Sequence, residues 1–140
     1  MNVQLFLADY VSVAEGKLNA LGIGWTFTGP GPLNFGVAGL VSVPWDKTNK
    51  LYDFVLGLFD EDGRPVSGPN GQPIRVEAQF EAGRPPGHTP GCPITAVLPP
   101  LNVVGLELPP ASRFEWVAGI DGEEWRVGFN TRPAPAPVLS

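Results

Sequence analysis

A chain of 140 residues can bury one substantial hydrophobic core but not comfortably two, so a single domain over residues 1–131 is expected. Its 17 Pro and 18 Gly approach the range of low-complexity chains, yet 43% of the residues are hydrophobic and the aromatics run from Phe6 to Phe129, more apolar material than a disordered chain carries. Fourteen acidic against nine scattered basic residues leave a net charge of −5, which excludes the basic surface that nucleic acid or an anionic membrane demands.

In chain order, the dominant pattern is short period-two apolar runs punctuated by Gly, Pro, Asn and Asp. Residues 3–13 and 17–28 read as strands joined by a turn at Ala14-Glu15-Gly16-Lys17, after which Leu18, Ala20 and Ile23 return to the core. Asp9 and Asn19 are polar positions inside this pairing, suited to hydrogen bonding of nearby turn backbone. A proline-stiffened loop over 29–33 leads to a strand at 38–43. Residues 51–59 form a strong strand with Tyr52, Phe54, Leu56 and Leu58 on one face, ending in the turn signal Asp60-Glu61-Asp62-Gly63. An irregular stretch over 65–73 precedes a strand at 74–80, and another over 83–93 precedes strands at 94–98 and 101–108, which Pro99-Pro100 keeps apart. No stretch sustains helical spacing.

The firmest local inference concerns 113–120 and 123–130, which flank Asp121-Gly122, a dipeptide suited to a two-residue type I′ turn. That turn sets Ile120 opposite Glu123, Ala118 opposite Trp125, Trp116 opposite Val127 and Phe114 opposite Phe129. Three apolar pairs then share one face, while Glu115, Val117, Glu124 and Arg126 take the other. The expected fold is therefore all-β, a single antiparallel β-sandwich of about eight or nine strands with Pro/Gly-rich loops. Residues 132–140, which open Arg132-Pro133-Ala134-Pro135-Ala136-Pro137, are expected as an extended tail outside the core.

Candidate chemistry is sparse. The single cysteine, Cys92, excludes an intrachain disulfide, and with the single histidine, His88, it supplies too few ligands for zinc and no orienting group for a nucleophile. The Asp60-Glu61-Asp62-Gly63 cluster opens like a calcium loop but is followed by Arg64, Pro65, Val66 and Ser67, which offer no further acidic ligand. Asp53, Glu77, Glu107 and Glu115 are carboxylates that strand pairing could bring together, with nothing to single them out. Gly22-Ile23-Gly24 and Gly29-Pro30-Gly31-Pro32 lack the helix and donors of a phosphate cradle. Trp116 and Trp125 are assigned to the core by the hairpin register. Trp25 and Trp45 stay open between packing and ligand contact, and are the candidate binding residues. No catalytic residue, metal ligand or cofactor is expected.

The succession Ala8-Asp9-Tyr10, Gly16-Lys17-Leu18-Asn19, Gly22-Ile23-Gly24-Trp25, Val43-Pro44-Trp45, Leu58-Phe59-Asp60-Glu61-Asp62-Gly63, Arg84-Pro85-Pro86-Gly87 and Ile120-Asp121-Gly122 resembles a small family of uncharacterised bacterial and bacteriophage proteins found chiefly in actinobacteria. The resemblance covers residues of about 5 to 130 and implies a compact β-sandwich with a non-enzymatic role.

The expected function is a structural or binding module, in particular an accessory protein of a bacteriophage particle such as a capsid decoration or minor tail component. Its partner would be another protein or further copies of the chain, with no nucleic acid and no membrane. The alternative is a cytoplasmic β-sandwich that binds a small ligand or carbohydrate through Trp25 and Trp45. The N-terminus carries no basic segment, and Asp9 interrupts its short apolar run, so a virion or cytoplasmic location is expected rather than export by an N-terminal signal.

Overall fold

The computed structural model describes residues 1–135 and contains eleven strands, one 3-10 turn and no α-helix among them. The strands are β1 (Asn2–Ala8), β2 (Tyr10–Ala14), β3 (Lys17–Leu21), β4 (Phe27–Thr28), β5 (Leu33–Val43), β6 (Leu51–Asp60), β7 (Arg75–Glu81), β8 (Ile94–Val97), β9 (Leu101–Leu106), β10 (Arg113–Ile120) and β11 (Glu123–Thr131). The short helical turn is Trp45–Lys47. Among the described residues no helix is long and apolar enough to cross a membrane.

Two sheets enclose the core. The first is built on β5, whose eleven residues pair with β1 along one edge and with β8 and then β9 along the other. The expected break at Pro99-Pro100 falls within that second edge. β8 and β9 run in the same direction along β5, separated where proline has no N–H to give the ladder. The second sheet has the order β4-β11-β10-β6-β7. It is antiparallel except for the two-residue β4–β11 contact, which is parallel.

The inner faces follow the sequence alternation. Tyr52, Phe54, Leu56 and Leu58 of β6 and Phe114, Trp116, Ala118 and Ile120 of β10 are all buried, and they meet Val3 and Leu7 of β1 and Phe35, Val37, Val41 and Val43 of β5. Phe35 lies edge-on to Trp116 at 6.1 Å and to Phe129 at 5.6 Å between ring centroids, a geometry favoured by the ring quadrupoles. The hairpin register is the expected one at every pair from Phe114 and Phe129 to Ile120 and Glu123. Asp121 and Gly122 both have positive φ, as the type I′ turn requires.

Strand boundaries differ from expectation in the N-terminal third. The single strand over 3–13 is two: β1 stays in the sheet, the chain bends at Asp9, and β2 pairs with β3 as a separate hairpin. Likewise 17–28 contains β3 and the short β4 rather than one strand. The two splits bring the count to eleven. The hairpin folds back over the outer side of β5, where Val11, Ala8 and Ala38 make a small second core backed by Leu18 and Ala20. Ile23 does not return to a core and is 55% exposed.

Asn102 on β9 fastens this flap. Its Oδ1 accepts the Val11 N–H at 3.1 Å and its Nδ2 donates to the Val11 carbonyl at 2.7 Å. One side chain thus satisfies both backbone groups of a residue that has left the main sheet. Gly36 permits the approach, because a Cβ there would meet Asn102 Oδ1 and one Val11 methyl at 2.7 Å and the other methyl at 3.1 Å.

β5 begins five residues before the expected strand at 38–43, because Leu33, Phe35 and Val37 are all buried inward; Asn34 and Gly36 break the apolar pattern on the other side. Residues 65–73 are not an irregular loop. Bridges pair Phe59 with Pro65 and Ser67 with Pro73, so the segment folds back as a short flap at the end of β6. The chain leaves the body after β11, with the Arg132 N–H donating to the Thr28 carbonyl and its guanidinium to the Gly29 carbonyl. Pro133 to Pro135 are exposed. The remainder of the expected tail, 136–140, lies outside the described residues.

Candidate docking face

Alternation that buries one side of β6 and β10 turns the other side outward. On that side lie Asp53, Val55, Gly57 and Phe59 of β6, Glu115, Val117 and Gly119 of β10, and Glu124 and Arg126 of β11. No element of the described residues covers this face as the β2–β3 hairpin covers the other sheet.

The face holds a trough. Its central part, about 310 Å³, is lined by Val55, Phe59, Ile74, Val117, Gly119 and Glu124, with Pro65 and Pro73 of the folded-back segment contributing to its wall. A second depression continues past Phe59 and Val117 to Asp60, Glu61 and Arg126. A third continues past Val55 and Gly119 to Asp53, Asp121 and Glu123. Shared lining residues make the three continuous, from the turn after β6 to the turn between β10 and β11.

Two glycines shape the floor differently. A Cβ on Gly57 would come within 3.0 Å of the Phe59 ring, so the aromatic side chain lies over that glycine and fills its place. Gly119 is open: a Cβ there would meet nothing nearer than the Glu123 carbonyl at 3.9 Å, and its backbone is outside the left-handed region. The strand does not need glycine at 119 for conformation, and the missing side chain leaves room in the trough.

The rim is charged and tied together. Arg126 bridges Glu124 at 2.9 Å and Glu115 at 3.3 Å, spanning β11 and β10, and Arg75 pairs with Glu77 at 2.8 Å. Gln79 donates to Asp53 at 2.9 Å. These are exposed contacts, each contributing at most about 1 kcal/mol. Asp53, Glu77 and Glu115 therefore share one face, while Glu107 lines an adjoining depression that shares Asp60, Glu61 and Pro65 with the end of the trough and adds Asp62 and Arg113.

The two candidate tryptophans are not brought together. Trp25 lies edge-on to Phe35 and Phe129, near the start of β5, and its indole N–H is buried with no hydrogen-bond partner among the described residues. Trp45 follows the far end of β5, roughly 30 Å of strand away. The Arg84 guanidinium sits 4.0 Å over the Trp45 ring, and the His88 ring stacks on it at 5.9 Å with an interplanar angle of 9°. Arg84 also donates to the Thr48 hydroxyl and the Trp45 carbonyl, both at 2.7 Å. Trp45 thus anchors the loop over 83–93 to the body.

Other sequence candidates resolve as local structure. Asp60 Oδ1 accepts the N–H groups of Asp62 and Arg64, each at 2.9 Å, which makes the acidic cluster a turn closed on its own carboxylate. Asp9 and Asn19 are exposed, and the Asp9 side chain lies against Gly22. His88 Nε2 is 3.3 Å from the Cys92 carbonyl, not from its sulfur, and Cys92 is exposed. Among the described residues no three His, Cys, Asp or Glu side chains converge as a metal site would need.

The alternation of the sequence places Val117, Glu115, Glu124 and Arg126 on the outer face but does not mark a trough. The available signal was the pair of strand-interior glycines, Gly57 and Gly119, on that same face. No curated protein and no solved structure matches the chain. A family model does match, over residues 4–128, from within β1 to within β11. The chain belongs to that family, a family of unknown function (DUF6941).

Proposed function

We propose that this protein is a non-enzymatic binding module that presents the outer face of its five-stranded sheet to a protein partner, as an accessory component of a bacteriophage particle such as a capsid decoration or minor tail protein. The observation that carries the docking role is the continuous open trough, apolar at its centre and charged at its rim, on strands whose other side is locked into the core. An open, elongated surface on rigid strands suits a chain segment better than a small molecule, which is usually held in an enclosed cavity.

The phage setting comes from the sequence resemblance and is tested separately. Mass spectrometry of purified particles from a phage encoding the chain is expected to detect it at a fixed ratio to the capsid or tail protein. Its absence from the particles would overturn the virion setting and leave the docking face to be tested on its own. The alternative, a small ligand or carbohydrate held jointly by Trp25 and Trp45, draws no support from two tryptophans set at different ends of β5.

A further inference from the structure

We infer that the trough takes a basic, extended segment of the partner protein, with Lys or Arg on either side of one apolar side chain that seats over Gly119. This rests on the docking role proposed above and adds the chemistry of the occupant.

The trough is strongly acidic. Asp60, Glu61 and Glu115 line one end, Glu124 the middle, and Asp53, Asp121 and Glu123 the other end, seven of the chain's 14 acidic residues. Of the nine basic residues Arg75 and Arg126 line the trough, both engaged with glutamates, and Arg113 lies at its Glu115 end, with its guanidinium over Gly128 on the outward side of β11. With Arg113 counted, acidic groups exceed basic ones there by four, most of the chain's net charge of −5. Such a field attracts a cationic segment and repels nucleic acid or an anionic membrane. It also repels the same face of a second copy.

Its shape suits an extended chain. From Glu115 to Asp121 the trough follows six residue steps of β10 and its turn, about 20 Å, the reach of about six extended residues. In an extended peptide alternate side chains point the same way, so an apolar one directed at Gly119 turns its neighbours away from the floor, from where the long stems of Lys or Arg reach sideways to the acidic rims. Val55, Val117, Phe59 and Ile74 supply the apolar surroundings for that anchor.

The test is an amide NMR titration of the full chain with three capped hexapeptides, alternating Lys–Leu, Ser–Leu and Glu–Leu. The expected result is that Lys–Leu shifts resonances on the outward positions of β6 and β10 and around Glu124, more tightly than Ser–Leu, with Glu–Leu inert. Affinity should fall with added salt, and the double variant Asp53→Asn, Glu124→Gln should weaken it by about three- to ten-fold, as for two exposed charge pairs. Equal binding of Ser–Leu and Lys–Leu in the trough would overturn the charge assignment while leaving the docking face standing. Shifts confined to another face, or none with any peptide, would overturn both. Concentration-dependent shifts of the trough residues without peptide would assign it to a second copy and overturn the inference.

Discussion

Asn102 illustrates how one side chain can hold an element that the backbone has released. It pairs with both polar backbone groups of Val11, and the β2–β3 hairpin has otherwise only a small core of Ala8, Val11 and Ala38 beneath it. Asn102→Ala is expected to cost about 1–2 kcal/mol, the scale of two partly exposed hydrogen bonds, read from the shift of a urea unfolding midpoint. Amide exchange at Val11 should quicken more than at Phe54, because the flap is released while the core remains. Tyr52 makes a second residue-scale case. Burial, reinforced by the negative charges of Asp121 and Asp46, raises its pKa above the usual phenol value, and its hydroxyl donates to the Lys47 carbonyl at 2.7 Å. The folded state therefore holds this proton more firmly than the unfolded chain does. Its contribution is fully present below the unfolded value, about 10, and is lost as pH rises through the raised folded value. Tyr52→Phe should flatten that alkaline loss in melting temperature measured across the same range.

At the scale of elements, the β10–β11 hairpin was fully legible because two independent signals agreed. Asp121-Gly122 specified a type I′ turn, and only that turn collects Trp116, Ala118 and Phe114 with apolar partners on one face. Gly122 has φ +80°, so Gly122→Ala is expected to destabilise by about 1 kcal/mol or more, seen as an earlier thermal transition, with the register kept by the core pairs. The N-terminal third was less legible. The alternation of Val3, Leu5, Leu7 and then Val11, Val13 does not reveal that the chain changes partner at Asp9, since both halves have strand periodicity and the change is decided by what β5 can cover. The early start of β5 was hidden for a similar reason. Gly36 looks like a strand breaker in sequence, but the packed hairpin and Asn102 require a residue without a side chain there. Trp45 belongs to this scale too, since its stacking with Arg84 and His88 depends on a loop nearly forty residues further on.

At the scale of the molecule, the β5 sheet is partly covered on its outer side by its own hairpin, whereas the five-stranded sheet leaves its outer face open. That asymmetry was not in the sequence pattern, because it depends on where the β2–β3 flap lands. Composition did anticipate the acidic character, but not that the trough would concentrate it. The central claim is that the open face serves binding rather than folding, and Gly119 separates the two. Its backbone does not require glycine, a Cβ fits, and a β-branched side chain would face Val55 across the strand pair. The most direct measurement is therefore the melting temperature of Gly119→Val together with its affinity for the Lys–Leu hexapeptide. The account predicts a melting temperature equal to or above that of the unaltered protein, with peptide binding lost. A clear fall in melting temperature with binding retained would contradict it, and would make the glycine a requirement of the fold.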